Sequence, residues 1–230
     1  MEKLQQKLDM LLDKYAIDKQ VKLIDANHAE IEGNIVALLP WRVERRFVEM
    51  RSCVTGGTLG TPSVIRVANT ATKGEDLWAL LAREADICRY TLNSDIISVM
   101  VFENSMALNA VLGLANGVTC TIELAATLKA GERPVDKHEI ASTRGSVCDK
   151  VVDTQYMQSS VYVLGEQHEE YTDVDFELYG LSVDEIATVR AAFEVAARGD
   201  HSKTAQLEKT LEHFIGCAKT SAAKCERVDV

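Results

Sequence analysis

Leu4, Leu8, Leu11, Leu12 and Tyr15 recur at spacings of three and four, which predicts a helix over 2–16. Short apolar runs at 21–26 and 35–39 read as strands. Pro40 suits a helix start, so a helix over 41–55 is expected. Glycines at 56, 57 and 60 punctuate the chain before a strand at 63–68. Leu77, Leu80, Leu81, Ala85, Cys88 and Leu92 then trace one stripe of a helix over 76–92.

After residue 92 the period changes from 3.6 to 2. Residues 95–103, 107–115 and 117–126 form three β-like runs, and Asn116-Gly117 between apolar stretches is a two-residue hairpin signal. Val118, Cys120, Ile122 and Leu124 alternate with Thr119, Thr121 and Glu123, so one face is buried and the other polar. Further β-like runs lie near 137–142, 146–153, 159–164 and 170–178. Ser182 with Glu185 makes a capping box for a helix over 183–198, and a last helix runs from 202 or 203 to about 224. Many strands followed by helices predict an α+β fold. An open, mostly antiparallel sheet of six to nine strands would carry helices 76–92, 183–198 and 203–224 on one face. Residues 1–39 form a separate N-terminal segment in this reading, and 40–230 the main domain.

Composition narrows the function classes. The net charge of −10 repels phosphate backbones, so nucleic acid is not an expected partner. No apolar run reaches the roughly 18–20 residues of a membrane span, and no signal-like segment opens the chain, so a cytoplasmic protein is expected. The six cysteines form no C-x-x-C pair and have no His at metal-ligand spacing, which reads as separate buried thiols.

Several residues invite chemistry. Asp173 and Asp175, with Glu169 and Glu170 upstream, are either a carboxylate site or an acidic strand edge. His138 and His168 fall in β-like runs that could meet across a sheet, but no third ligand accompanies them and no metal is expected. Ser159-Ser160 and Ser142-Thr143 lie in no nucleophile elbow. Arg83 with Glu84 and Asp86 is the densest group. It is either a fork for a carboxylate or phosphate ligand or a structural ion pair.

The order of motifs resembles the second domain of the glucose–fructose oxidoreductase / inositol dehydrogenase / MocA family. Arg42 before a helix, then Gly57-Thr-Leu-Gly60 before a strand, resembles its opening turn. Glu84-Ala-Asp86-Ile-Cys-Arg89-Tyr90-Thr-Leu92 resembles its H-x-x-D-x-x-R-[WY]-x-L helix. Asn116-Gly117-Val118 resembles its hairpin, Glu139-Ile-Ala-Ser-Thr-Arg-Gly145-Ser one of its strands, and the last helix its C-terminal helix. The resemblance covers about residues 40–225 and implies ligand contacts at Arg42, Arg83, Glu84 and Asp86.

The departures from that family carry as much weight. No G-x-G-x-x-G follows a strand, so the cofactor-binding Rossmann domain is missing from this sequence and no cofactor is expected. Residues 2–26 look like the last helix and strand of such a domain. The family's Glu-Lys-Pro lysine is absent too. Aligned on Asp86 and Arg89, the family's general-base His falls on Arg83 and its Asp on Ala79, and no His lies between 29 and 137. Arginine stays protonated and alanine carries no acid–base group, so no catalytic residue is expected. Besides an independent enzyme with a new site around Arg83, Asp173 and Asp175, two functions follow as expectations. One is a non-catalytic, oligomerising, structural or small-molecule-binding module, paired with copies of itself through the open sheet face. The other is the substrate half of a split sugar or polyol oxidoreductase whose Rossmann-domain partner chain supplies the cofactor.

Overall fold

A computed structural model describes residues 1–132, 134–149, 160–165, 168–172, 177–199 and 202–230. The chain divides into two compact units, Met1–Arg45 with Val174–Thr210 and Arg46–Asp173 with Leu211–Val230. The first unit therefore reaches past the 1–39 segment and takes in a stretch from the far end of the chain.

In the first unit, helix α1 (Glu2–Lys14) presents Leu4, Leu8, Leu11 and Leu12 to a small sheet. That sheet has three antiparallel strands in the order β1 (Val21–Leu23), β2 (His28–Ile31), β3 (Asn34–Ala37). Strand β2 has no counterpart in the sequence reading. Its alternation is only four residues long, and the left-handed Glu32 (φ 51°) with Gly33 (φ 78°) makes the tight turn into β3. Pro40–Val43 is a 3-10 turn rather than the start of a long helix, and helix α2 runs over Arg45–Thr55.

Helix α4 (Val183–Arg198) is expected on the large sheet but packs in this unit against α1 and β1. Its small buried residues Ala187, Ala191, Ala192 and Ala196 let it lie close to the α1 leucines. The capping box forms as expected, with Ser182 accepting from the Glu185 backbone and the Glu185 side chain accepting from the Ser182 backbone.

The second unit is α+β, a nine-stranded sheet that is antiparallel except at one pair. Its strands are β4 (Pro62–Thr72), β5 (Ile96–Glu103), β6 (Ala107–Leu114), β7 (Thr119–Leu128), β8 (Val135–Ser142), β9 (Gly145–Cys148), β10 (Ser160–Leu164), β11 (His168–Thr172) and β12 (Val228–Asp229). The spatial order is β11-β10-β9-β8-β4-β7-β6-β5-β12, with β4 and β7 parallel. The hairpin at Asn116-Gly117 is wider than two residues, because β6 stops at Leu114 and β7 begins at Thr119.

One sheet face is apolar: Ile65 and Val67 on β4 lie beside Cys120 and Ile122 on β7, and beside Ile140 and His138 on β8. Helix α3 (Leu77–Thr91) covers this face with Leu81, Ala85 and Cys88, capped at its start by Asp76, whose side chain accepts from Trp78. The buried end of helix α5 (Ser202–Lys224) adds Phe214 and Ala218. Its Ser221 hydroxyl accepts from the Val101 backbone of β5 at 3.0 Å. Cys53, Cys88, Cys120 and Cys148 are buried and in no disulfide, as expected, whereas Cys217 is half-buried and Cys225 is exposed.

No helix among the described residues is long and apolar enough to cross a membrane.

Candidate functional site

The alternation along β8 puts Asp136, His138 and Ile140 on the covered face, facing helix α3. Ile140 is ordinary core. His138 is not, because it brings a basic ring to a fully buried position directly beneath Glu84, itself fully buried on α3. His138 Nε2 lies 2.7 Å from Glu84 Oε2, and Nδ1 lies 2.8 Å from Asp149 Oδ2 just beyond β9. The other Asp149 oxygen accepts from the His138 backbone N–H at 2.7 Å. Phe47 of α2 packs edge-on against the imidazole at a centroid distance of 4.7 Å and walls the site with an apolar surface.

Two arginines close the network. Arg46 donates to Asp149 Oδ2 at 2.9 Å and to Asp136 Oδ2 at 2.6 Å, with its guanidinium over the Phe47 ring. Arg83 donates to Glu84 Oε1 at 2.6 Å and to Asp136 Oδ2 at 3.4 Å. Asn69 of β4 donates to the same Glu84 oxygen at 3.0 Å. Three carboxylates (Glu84, Asp136, Asp149) thus face two guanidinium groups and one imidazole, and the charges balance when the ring is protonated. One acceptor is left over: Asp136 Oδ1 is enclosed without a hydrogen-bond partner.

The electrostatics follow from these contacts. Burial alone would lower the His138 pKa, but the Asp149 and Glu84 carboxylates overcome it and push the ring up to about 10. Burial would raise Glu84, yet Arg83 and His138 hold it below its usual value. Asp149 is lowered against its burial by His138 and then Arg46, and Asp136 against its burial by Arg46, Arg83 and His138.

The sign of the linkage differs between the two kinds of group. The raised His138 contributes stability that is fully present below about 6.5 and is lost progressively as pH rises from there to about 10. The lowered carboxylates contribute stability that is lost as pH falls below their ordinary values of 3.8 and 4.5. Urea midpoints measured from pH 3 to pH 11 should therefore be highest between about pH 5 and 6.5, falling on the acid side as the carboxylates protonate and on the alkaline side from about 6.5 up to about 10. A midpoint that stays flat between pH 7 and 10 would mean that the folded state does not hold His138 charged.

Of the expected ligand residues, Arg83 and Glu84 are in this cluster as an ion pair, which favours the structural reading of Arg83 over a free fork. Asp86 is buried on the same helix. Arg42 lies in the 3-10 turn of the first unit, half-buried, and the cluster described here is built from the second unit alone. His138 and His168 are not neighbours, since β9 and β10 stand between β8 and β11. Glu169 and Glu170 fall on β11, while Asp173, Asp175 and Ser159 lie outside the described residues.

Sequence reasoning missed Asp136, Asp149 and Arg46. The Asp136-Lys137-His138 alternation was the available signal, because residues two apart on a strand share a face. Among the described residues, Glu84, Asp136 and His138 are a trio whose donor atoms lie within 4.8 Å of one another, close enough to hold one ion.

No protein-family model and no curated protein matches the chain. Solved structures do. A levoglucosan dehydrogenase in complex with NADH and levoglucosan superposes with a TM-score of 0.67 at 14% identity, over 84% of this chain and 65% of its own. An oxidoreductase from Agrobacterium radiobacter, in complex with NAD+, L-tartaric acid and magnesium, gives 0.65 at 16%, over 84% and 64%. An inositol dehydrogenase homolog from Azotobacter vinelandii, with NADH and myo-inositol, gives 0.61 at 12%, over 84% and 63%. The chain spans just under two thirds of the length of these structures. Its fold is that of the C-terminal part of oxidoreductases of the glucose–fructose oxidoreductase / inositol dehydrogenase / MocA type, as the motifs suggested.

Proposed function

We propose that a chain with this oxidoreductase fold is a non-catalytic relative, acting as an oligomerising structural or small-molecule-binding module. The observation that carries this reading is the state of the buried Glu84–His138–Asp149 site. Both ring nitrogens of His138 face carboxylates, so no lone pair is open to a substrate hydroxyl. Arg83 stands where the resemblance places the base, and it is engaged by Glu84 and Asp136. Neither residue is placed to take a proton from a sugar or polyol.

Self-association goes with this reading. The outer face of the sheet exposes Phe102 and Val111, with Met100 beside Val111 across the β5–β6 pair, and apolar residues on an uncovered sheet favour a second copy. Free thiols fit a reducing compartment, so we place the protein in the cytoplasm.

Light scattering tests the reading, with native mass measured on the purified chain before and after incubation with lysate of its own host. The expected result is a dimer or tetramer whose mass the lysate leaves unchanged. Capture of a nucleotide-binding chain that confers hydride transfer on the pair would overturn it and establish the split-enzyme reading instead.

A further inference from the structure

The buried cluster holds more ligand capacity than its ion pairs use. Each acidic residue on the rim commits one oxygen to arginine and turns the other inward. Glu84 gives Oε1 to Arg83 and Asn69, while Oε2 faces His138 Nε2 at 2.7 Å. Asp136 gives Oδ2 to Arg46 and Arg83, while Oδ1 is enclosed, without a donor, 3.7 Å from His138 Nδ1. An enclosed carboxylate oxygen with no donor is costly, and a cation removes that cost.

The supports around the trio are those a metal site needs. Asp136 and His138 sit two apart on β8, and Glu84 sits on α3, so all three ligands come from regular elements. Asp149 accepts from the His138 backbone N–H and faces Nδ1, so it fixes the ring and leaves Nε2 turned toward Glu84. A carboxylate on the far nitrogen is the usual outer partner of a metal-bound histidine.

We propose that Glu84, Asp136 and His138 bind one divalent first-row transition ion of the Zn2+ class, with Asp149 positioning the ring. One imidazole nitrogen and two carboxylate oxygens are ligands of that class, whereas Ca2+ takes six to eight oxygens and Mg2+ keeps several waters in an octahedral shell. To admit the ion, the 2.7 Å gap between His138 Nε2 and Glu84 Oε2 widens by about 0.6 Å, and the proton that bridged them leaves to solvent. Arg46 and Arg83 keep the outer oxygens and hold the carboxylates in place. Three protein ligands leave a fourth position open. This site goes beyond the reading above and does not rest on it, since a bound ion serves a structural module as well as an active one.

The test is calorimetric titration of the chelator-stripped full chain with Zn2+, with Co2+ as a coloured substitute. We expect one equivalent bound and a visible Co2+ spectrum. His138→Gln and Asp136→Asn should abolish both. Asp149→Asn should weaken binding by roughly 10–100-fold, as loss of an outer partner does. Asp136→Asn guards against misfolding, because it removes a charge from a half-buried residue without changing its size. Cys217→Ser controls for the surface contact between Cys217 and His213, which are 3.7 Å apart, and should change nothing. Absence of binding by the native chain would overturn the proposal, as would affinity unchanged in Asp136→Asn or lost in Cys217→Ser.

Discussion

Replacing His138 by Leu should cost about 3–5 kcal/mol of folding stability at pH 7 in chelator-containing buffer, the range for breaking a buried charge pair by removing one partner. Leucine fills the volume, so the loss is electrostatic. It leaves Glu84 and Asp149 fully buried, each having lost its imidazole partner at 2.7 and 2.8 Å. The deficit should shrink on acidification, because protonated carboxylates no longer repel. The control is Arg66→Ala on the outer sheet face. Its exposed contact with Glu139 spans 3.9 Å, and its removal should cost no more than about 0.5 kcal/mol. Urea denaturation measures both. A His138→Leu loss as small as that of Arg66→Ala would mean that the cluster is not the electrostatic centre of the unit.

The second large effect should come from Gly145→Ala. Gly145 opens β9 with φ +149°, a conformation that side chains avoid, and an added Cβ would press on the Leu164 carbonyl and on Gly165 Cα at 2.8 Å. These are backbone atoms and cannot swing aside. Backbone strain and overpacking each cost about 1–3 kcal/mol, so a loss of about 3 kcal/mol is expected. The pairing that would have to give is that of β9 with β10, and Asp149 follows directly on β9. The variant should therefore also lower the affinity of the cluster for Zn2+. A variant as stable as the parent would show that β9 and β10 part without cost.

Those two residues show where the sequence was readable. Gly145 was visible as part of a Thr-Arg-Gly-Ser motif, but its partner strand was not, because nothing local says which carbonyl will approach it. The helix over 77–91 was legible from its leucines, its start from Asp76, and the box at Ser182 from Glu185 three positions on. All are signals within one or two turns. The parallel pairing of β4 with β7 joins residues more than fifty positions apart and leaves no local trace.

The site split along the same line. Arg83 and Glu84 are neighbours in sequence, and the ion-pair alternative was on the table for them. Glu84 meets His138 across 54 positions, and Arg46 meets Asp149 across 103, so only the sheet topology brings them together. Helix α4 was misplaced for a related reason. Its apolar stripe says that it packs, and its alanines say that it packs closely, but neither says on what.

The chain has the fold of an oxidoreductase domain, and the proposal to be tested is that it lacks the chemistry. The most direct measurement is a fluorescence titration of NADH onto the purified 230-residue chain, followed by a hydride-transfer assay with NAD+ and a set of polyols. The account predicts no saturable NADH signal and no reduction of NAD+. Saturable binding together with polyol-dependent reduction would contradict it, and would require a cofactor site and a base that the Glu84–His138–Asp149 cluster does not supply.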